Sequence, residues 1–113
     1  MGLAQPRTSK QTRAANARVM CVLLHYTGKP ESETELGALL ADFAYRASAE
    51  EAGLLSYVIT QAMGSARHFT VHAQFSDWDA FEAHADTEHM QRLLPRLTEL
   101  LAAPISMELF RGV

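Results

Sequence analysis

The chain has 113 residues, 48% of them apolar and 20% charged, and a net charge of −3. That size suits one domain with a single core, small enough to gain from association with a second copy. Residues 1–18 carry Arg7, Lys10, Arg13 and Arg18 and no acid, so the rest of the chain sets six basic against thirteen acidic residues. An acidic body of this kind excludes a nucleic-acid surface, which needs clustered Lys and Arg.

Cys21 is the single cysteine. It permits no intrachain disulfide and predicts a reducing, cytoplasmic compartment. No Lys, Arg or helix start adjoins it, so an inert buried thiol is expected. No stretch approaches the roughly 18 apolar residues of a membrane span, and the N-terminus lacks the apolar core of a signal peptide. Pro6 stands where a myristoylation signal needs Ser or Thr.

In chain order, residues 1–18 are polar, basic and aperiodic and read as a flexible arm, leaving 19–113 as the folded domain. Val19–Thr27 is apolar on both alternating faces and reads as a strand covered on both sides. Val19, Cys21, Leu23 and His25 share one face; Met20, Val22, Leu24 and Tyr26 share the other. His25 is expected to close the helix-facing side. Gly28-Lys29-Pro30 ends the strand as a turn. From Pro30 to about Glu51, Leu36, Leu39, Leu40, Phe43, Ala44 and Ala47 fall at helical spacing, until Gly53 breaks the pattern.

Leu54–Gln61 and Arg67–Phe75 read as a hairpin around a loop containing Gly64. In the second strand Phe69, Val71, Ala73 and Phe75 form an apolar face opposite His68, Thr70, His72 and Gln74. Ser76 or Asp77 then caps a helix over Trp78–Ala85, and Thr87 caps a fresh segment from Glu88 to Leu101. Pro95 within it predicts a kink or a broken turn. Ile105–Phe110 is a short last strand. The order β-α-β-β-α-β predicts an α+β, ferredoxin-like antiparallel sheet with helices on one face. The bare face then needs a cover, which a second copy packed sheet to sheet would supply.

The spacing of the histidines does not suit a shared metal ion. His68 and His72 lie four residues apart on a strand, about 13 Å along it, and share a face but no ion. His84 and His89 lie roughly 140° apart on an ideal helix, with the Thr87 cap between them, so no protein-built metal site is expected. No GxSxG, Walker loop or GxGxxG is present, and no cofactor is expected. His84 shares a helical face with Ala80 and Phe81 and points inward, either as a packed core residue or as an acid–base group. Tyr57 shares a face with Leu55 and Ile59 and either packs or places its hydroxyl in a cavity. Phe43, Phe69, Phe75, Phe81 and Met90 serve the core, and the same large side chains between sheet and helices would line a small apolar pocket.

Residues 19–110 resemble the antibiotic-biosynthesis monooxygenase family, which includes quinol monooxygenases. The resemblance rests on Lys29-Pro30, on Glu51-Ala52-Gly53-Leu54-Leu55-Ser56-Tyr57, and on Phe69 to Phe75. It continues through Asp77-Trp78-Asp79-Ala80-Phe81-Glu82-Ala83-His84, Glu88-His89-Met90, Leu100-Leu101 and Pro104. It implies a dimeric α+β barrel and dioxygen chemistry on electron-rich phenols, anthrones or quinols, without metal or flavin. His84 and His89 fall on the family's recurring histidines. His84, His25 and Tyr57 are the candidate catalytic residues; Phe43, Phe69, Phe75, Phe81, His89 and Met90 are the candidate pocket lining. Many relatives carry Glu at the place of Ala73 and Trp at that of Phe75. Two other branches supply alternatives. One is a module that binds haem or a small ligand without turnover, since a haem-degrading branch holds iron through a histidine placed like His84. The other is an isomerase of small sugar phosphates, disfavoured by the absence of a basic cluster in the expected pocket.

Overall fold

A computed structural model describes residues 10–113. Its elements are α1 (Lys10–Arg18), β1 (Met20–Thr27), α2 (Glu33–Glu50), β2 (Leu54–Gln61), β3 (His68–Phe75), α3 (Trp78–Ala85), α4 (Glu88–Leu100) and β4 (Ser106–Arg111). The four strands form one sheet in the order β2-β3-β1-β4, with every neighbouring pair antiparallel. This is the expected ferredoxin-like α+β fold. One expectation changes at the N-terminus, where Lys10–Arg18 of the expected arm is helical. The rest of that arm lies outside the described residues.

Alternation on the strands decides what is buried. On β3, Phe69, Val71, Ala73 and Phe75 are all buried, while His68, His72 and Gln74 are exposed. On β1 the buried set is Met20, Val22 and Tyr26. Helices α2 and α4 close the same face with Leu36, Leu40, Phe43 and Ala47 from one and Leu93, Leu97 and Leu100 from the other. On β2 the alternation is broken by a register shift between Leu54 and Ser56. A bulge of this kind turns the side chains beyond it to the opposite face. Leu54, Tyr57 and Ile59 therefore pack on the core, whereas Leu55, expected beside Tyr57, is exposed.

Turns and caps follow local chemistry. The Ser32 N–H donates to the Lys29 carbonyl at 3.1 Å across Pro30-Glu31, with Glu31 at φ 69°. Proline followed by a left-handed residue is the pattern of a type II turn, here without the usual glycine. Asp77 caps α3 by accepting the Ala80 N–H at 2.8 Å, and Thr87 caps α4 by accepting the Met90 N–H at 3.3 Å. The break expected at Pro95 does not occur: α4 runs on through it. Pro95 and Gln91 both lie on the exposed side, where water can satisfy the carbonyl that loses its helical partner.

Candidate functional site

The site starts from a close approach. The turn after α2 passes α3 so tightly that a methyl group on Gly53 would stand 2.4 Å from the Ala80 Cβ. The Ser76 N–H closes the contact by donating to the Gly53 carbonyl at 2.8 Å. Only glycine fits there, and the fit brings Glu51, the residue that ends α2, beside the last turn of α3. That turn carries His84. The chain then breaks at Asp86-Thr87, where the Thr87 hydroxyl donates to the His84 carbonyl at 2.8 Å. Helix α4 starts with a new phase, which swings His89 back toward the same carboxylate.

Both imidazoles meet Glu51. His84 Nδ1 lies 2.8 Å from each carboxylate oxygen, and His89 Nε2 lies 2.5 Å from Oε2. The side chains of His84, His89 and Glu51 are 9%, 9% and 10% exposed. A second carboxylate, Glu50, reaches His89 Nδ1 at 3.3 Å. Phe43 wedges against both rings, with centroids 5.5 Å from His84 and 5.4 Å from His89. The three donor atoms of Glu51, His84 and His89 all lie within 4.8 Å of one another. The spacing of the histidines does not predict this convergence, which comes from the new phase of α4 after Thr87. The convergence also adds Glu51, whose role the sequence reading missed.

A carboxylate only accepts hydrogen bonds, so His84 donates Nδ1–H to Glu51, and in the neutral ring Nε2 is then the acceptor. His84 also lines a cavity of about 610 Å³ between the sheet, α3 and α4. Val22 and Ala73 form its floor, and Trp78, Leu94, Ile105 and Met107, all more than a third exposed, surround its mouth. Tyr26 and Tyr57 line it as well. Burial pushes the Tyr26 phenol up to about 12. Burial, helped by Tyr26 and Glu51 nearby, raises that of Tyr57 further. Both hydroxyls therefore stay protonated at neutral pH and act as hydrogen-bond donors. Tyr57 pairs across the strands with Ala73, and both line the cavity.

The candidate residues thus divide. His84 and Tyr57 come together at the cavity, and Phe75, Phe81 and Met90 line it. Phe43 and His89 stand behind His84, and Phe69 is buried in the core against the helical Gly37. The helix-facing position expected for His25 is not what the fold provides. It lies exposed on the opposite face, 3.2 Å from Glu108, because Met20, Val22 and Tyr26 take the buried side of β1.

The architecture is thus an antiparallel α+β sheet with an apolar cavity under its helices. The family model for antibiotic biosynthesis monooxygenases matches residues 19–96, and the chain belongs to that family. Among solved structures it is similar to a conserved protein from Methanosarcina mazei Go1, with TM-score 0.80 at 19% identity, covering 88% of this chain and 98% of the other. It is similar also to PA3566 from Pseudomonas aeruginosa, with TM-score 0.78 at 23% identity, covering 87% and 97%. A crystal structure of an antibiotic biosynthesis monooxygenase matches with TM-score 0.76 at 22% identity, covering 83% and 98%. No curated protein matches at the sequence level. No helix of the described residues is long and apolar enough to cross a membrane.

Proposed function

We propose that the protein is an oxygenase that uses dioxygen on a small aromatic hydroxy compound, such as a quinol or anthrone, without metal or flavin. The observation that carries this reading is His84, held at Nδ1 by Glu51 and lining an apolar cavity. The aromatic ring packs against Phe75 and Phe81. His84 Nε2 takes the substrate hydroxyl proton, and the carboxylate beside Nδ1 stabilises the imidazolium that forms. Tyr26 and Tyr57 donate to the resulting oxyanion. That electron-rich anion then passes an electron to dioxygen. The protein supplies orientation, base and dry walls. Among the described residues the cavity lining includes Glu82 and Asp86 and no Lys or Arg, which counts against a sugar-phosphate substrate.

We propose further that the helix-free face of the sheet is covered by a second copy. Val58 and Phe110 stand half exposed there, beside the partly buried Cys21 and Leu23. A homodimer is the assembly a self-complementary apolar face would give.

The test is oxygen uptake by chelator-treated protein with a panel of naphthoquinols and anthrones, corrected for autoxidation. Saturable, enzyme-dependent uptake is expected. Tight ligand binding without uptake across the panel would instead favour the non-catalytic binding module.

A further inference from the structure

We propose that Glu51, His84 and His89 form a binding site for one divalent first-row transition-metal ion. Two imidazole nitrogens and one carboxylate, from the end of α2, the last turn of α3 and the first turn of α4, converge within 4.8 Å. A zinc-like ion bonds such atoms at about 2.0–2.2 Å, which sets neighbouring donors about 3 Å or slightly more apart. The carboxylate contacts of 2.8 and 2.5 Å are therefore close to a liganded spacing, and the donor atoms, spread over up to 4.8 Å, close on the ion as it draws the two imidazoles in.

The surroundings are those a bound ion needs. Metal-ligating histidines usually hand their second ring nitrogen to a carboxylate or carbonyl, which fixes ring and tautomer. Glu50 sits in that position on His89 Nδ1, at 3.3 Å. Phe43 holds both rings from the side. The donor set selects the ion class. Imidazoles suit Zn²⁺, Co²⁺, Ni²⁺ and Fe²⁺, whereas Ca²⁺ and Mg²⁺ prefer oxygen alone, and without thiolate the site lacks softness for Cu⁺. Two histidines and one carboxylate leave further coordination positions open to water or a ligand atom.

The site goes beyond the oxygenase reading and is an alternative state of the same cluster. In the proton-linked state His84 Nδ1 carries hydrogen and Nε2 is the free base. With an ion on Nδ1 the hydrogen moves to Nε2, and His84 becomes a donor toward the cavity. Metal and base function are then mutually exclusive.

Co²⁺ titration of the chelator-treated full chain tests this, read by visible d–d absorption, calorimetric stoichiometry and the rise in Tm that binding to the folded state produces. One saturable site per chain is expected. His89→Gln should weaken binding at least tenfold, Glu50→Gln about tenfold, and His72→Gln on the open face should leave it unchanged. Absence of saturable binding overturns the site. So does binding that persists undiminished in His89→Gln, which would place the ion on surface histidines. Should His89→Gln fail to fold by circular dichroism, Glu50→Gln decides, since its carboxylate is 63% exposed; unchanged affinity there overturns the proposal.

Discussion

The two faces of the sheet carry histidines under opposite regimes. Beneath the helices, His84 and His89 are buried and share one carboxylate. On the open face, His25 pairs with Glu108 and His72 Nε2 lies 3.1 Å from the Thr70 hydroxyl, both in reach of water. A histidine held at one nitrogen in a dry cavity has a single task left for the other. The face, more than the residue type, decides which histidine can do chemistry.

The largest contrast concerns packing. Phe75 is 1% exposed on the covered face and Phe110 is 51% exposed on the open one. Phe75→Ala should cost about 3–5 kcal/mol in denaturant unfolding. Phe110→Ala in the single chain should stay within about 0.5 kcal/mol. A concentration-dependent loss in Phe110→Ala would mean that the open face is an interface and would sharpen the comparison.

The next contrast is catalytic. His84→Ala should lower kcat/KM on the order of 100-fold while leaving the folded state intact, as loss of a general base does. His25→Ala should change it less than about twofold, because a surface substitution away from the cavity touches no reacting group. Equal losses in both variants would break the distinction between the faces.

The smallest effect lies on the exposed rim of the helices, where Arg96 spans Glu35 and Glu99. The Arg96 guanidinium holds the Glu35 carboxyl below its ordinary value of 4.5. A folded value below the unfolded one adds stability above the unfolded pKa, and that stability is lost as pH falls through the folded pKa. Arg96→Met should therefore flatten the acid limb of the stability profile slightly, and salt should erase the difference.

Much of this was legible in the chain itself. Asp77 and Thr87 announced two helix starts because short polar side chains accept orphan N–H groups, and the alternation over 69–75 named the buried face of β3 residue by residue. What escaped depended on the third dimension. Glu51 acts on His84 from 33 positions away, and only the Gly53–Ala80 approach joins them. The meeting of His84 and His89 depends on how α4 is set after the break at Thr87, which spacing along the chain does not encode. The strand face of His25 was undecidable from β1 alone, since both of its faces are apolar; the helices decided it. Leu55 was misplaced by one bulge.

Trp78 gives the molecule a built-in optical probe. It is the chain's single tryptophan, half exposed at the cavity mouth, with its ring centroid 5.4 Å from that of Phe81. Any compound entering the cavity must dehydrate that indole or stack near it, so its emission will shift without a label or a mutation. Occupancy can thus be titrated across an entire compound collection before a single turnover has been observed.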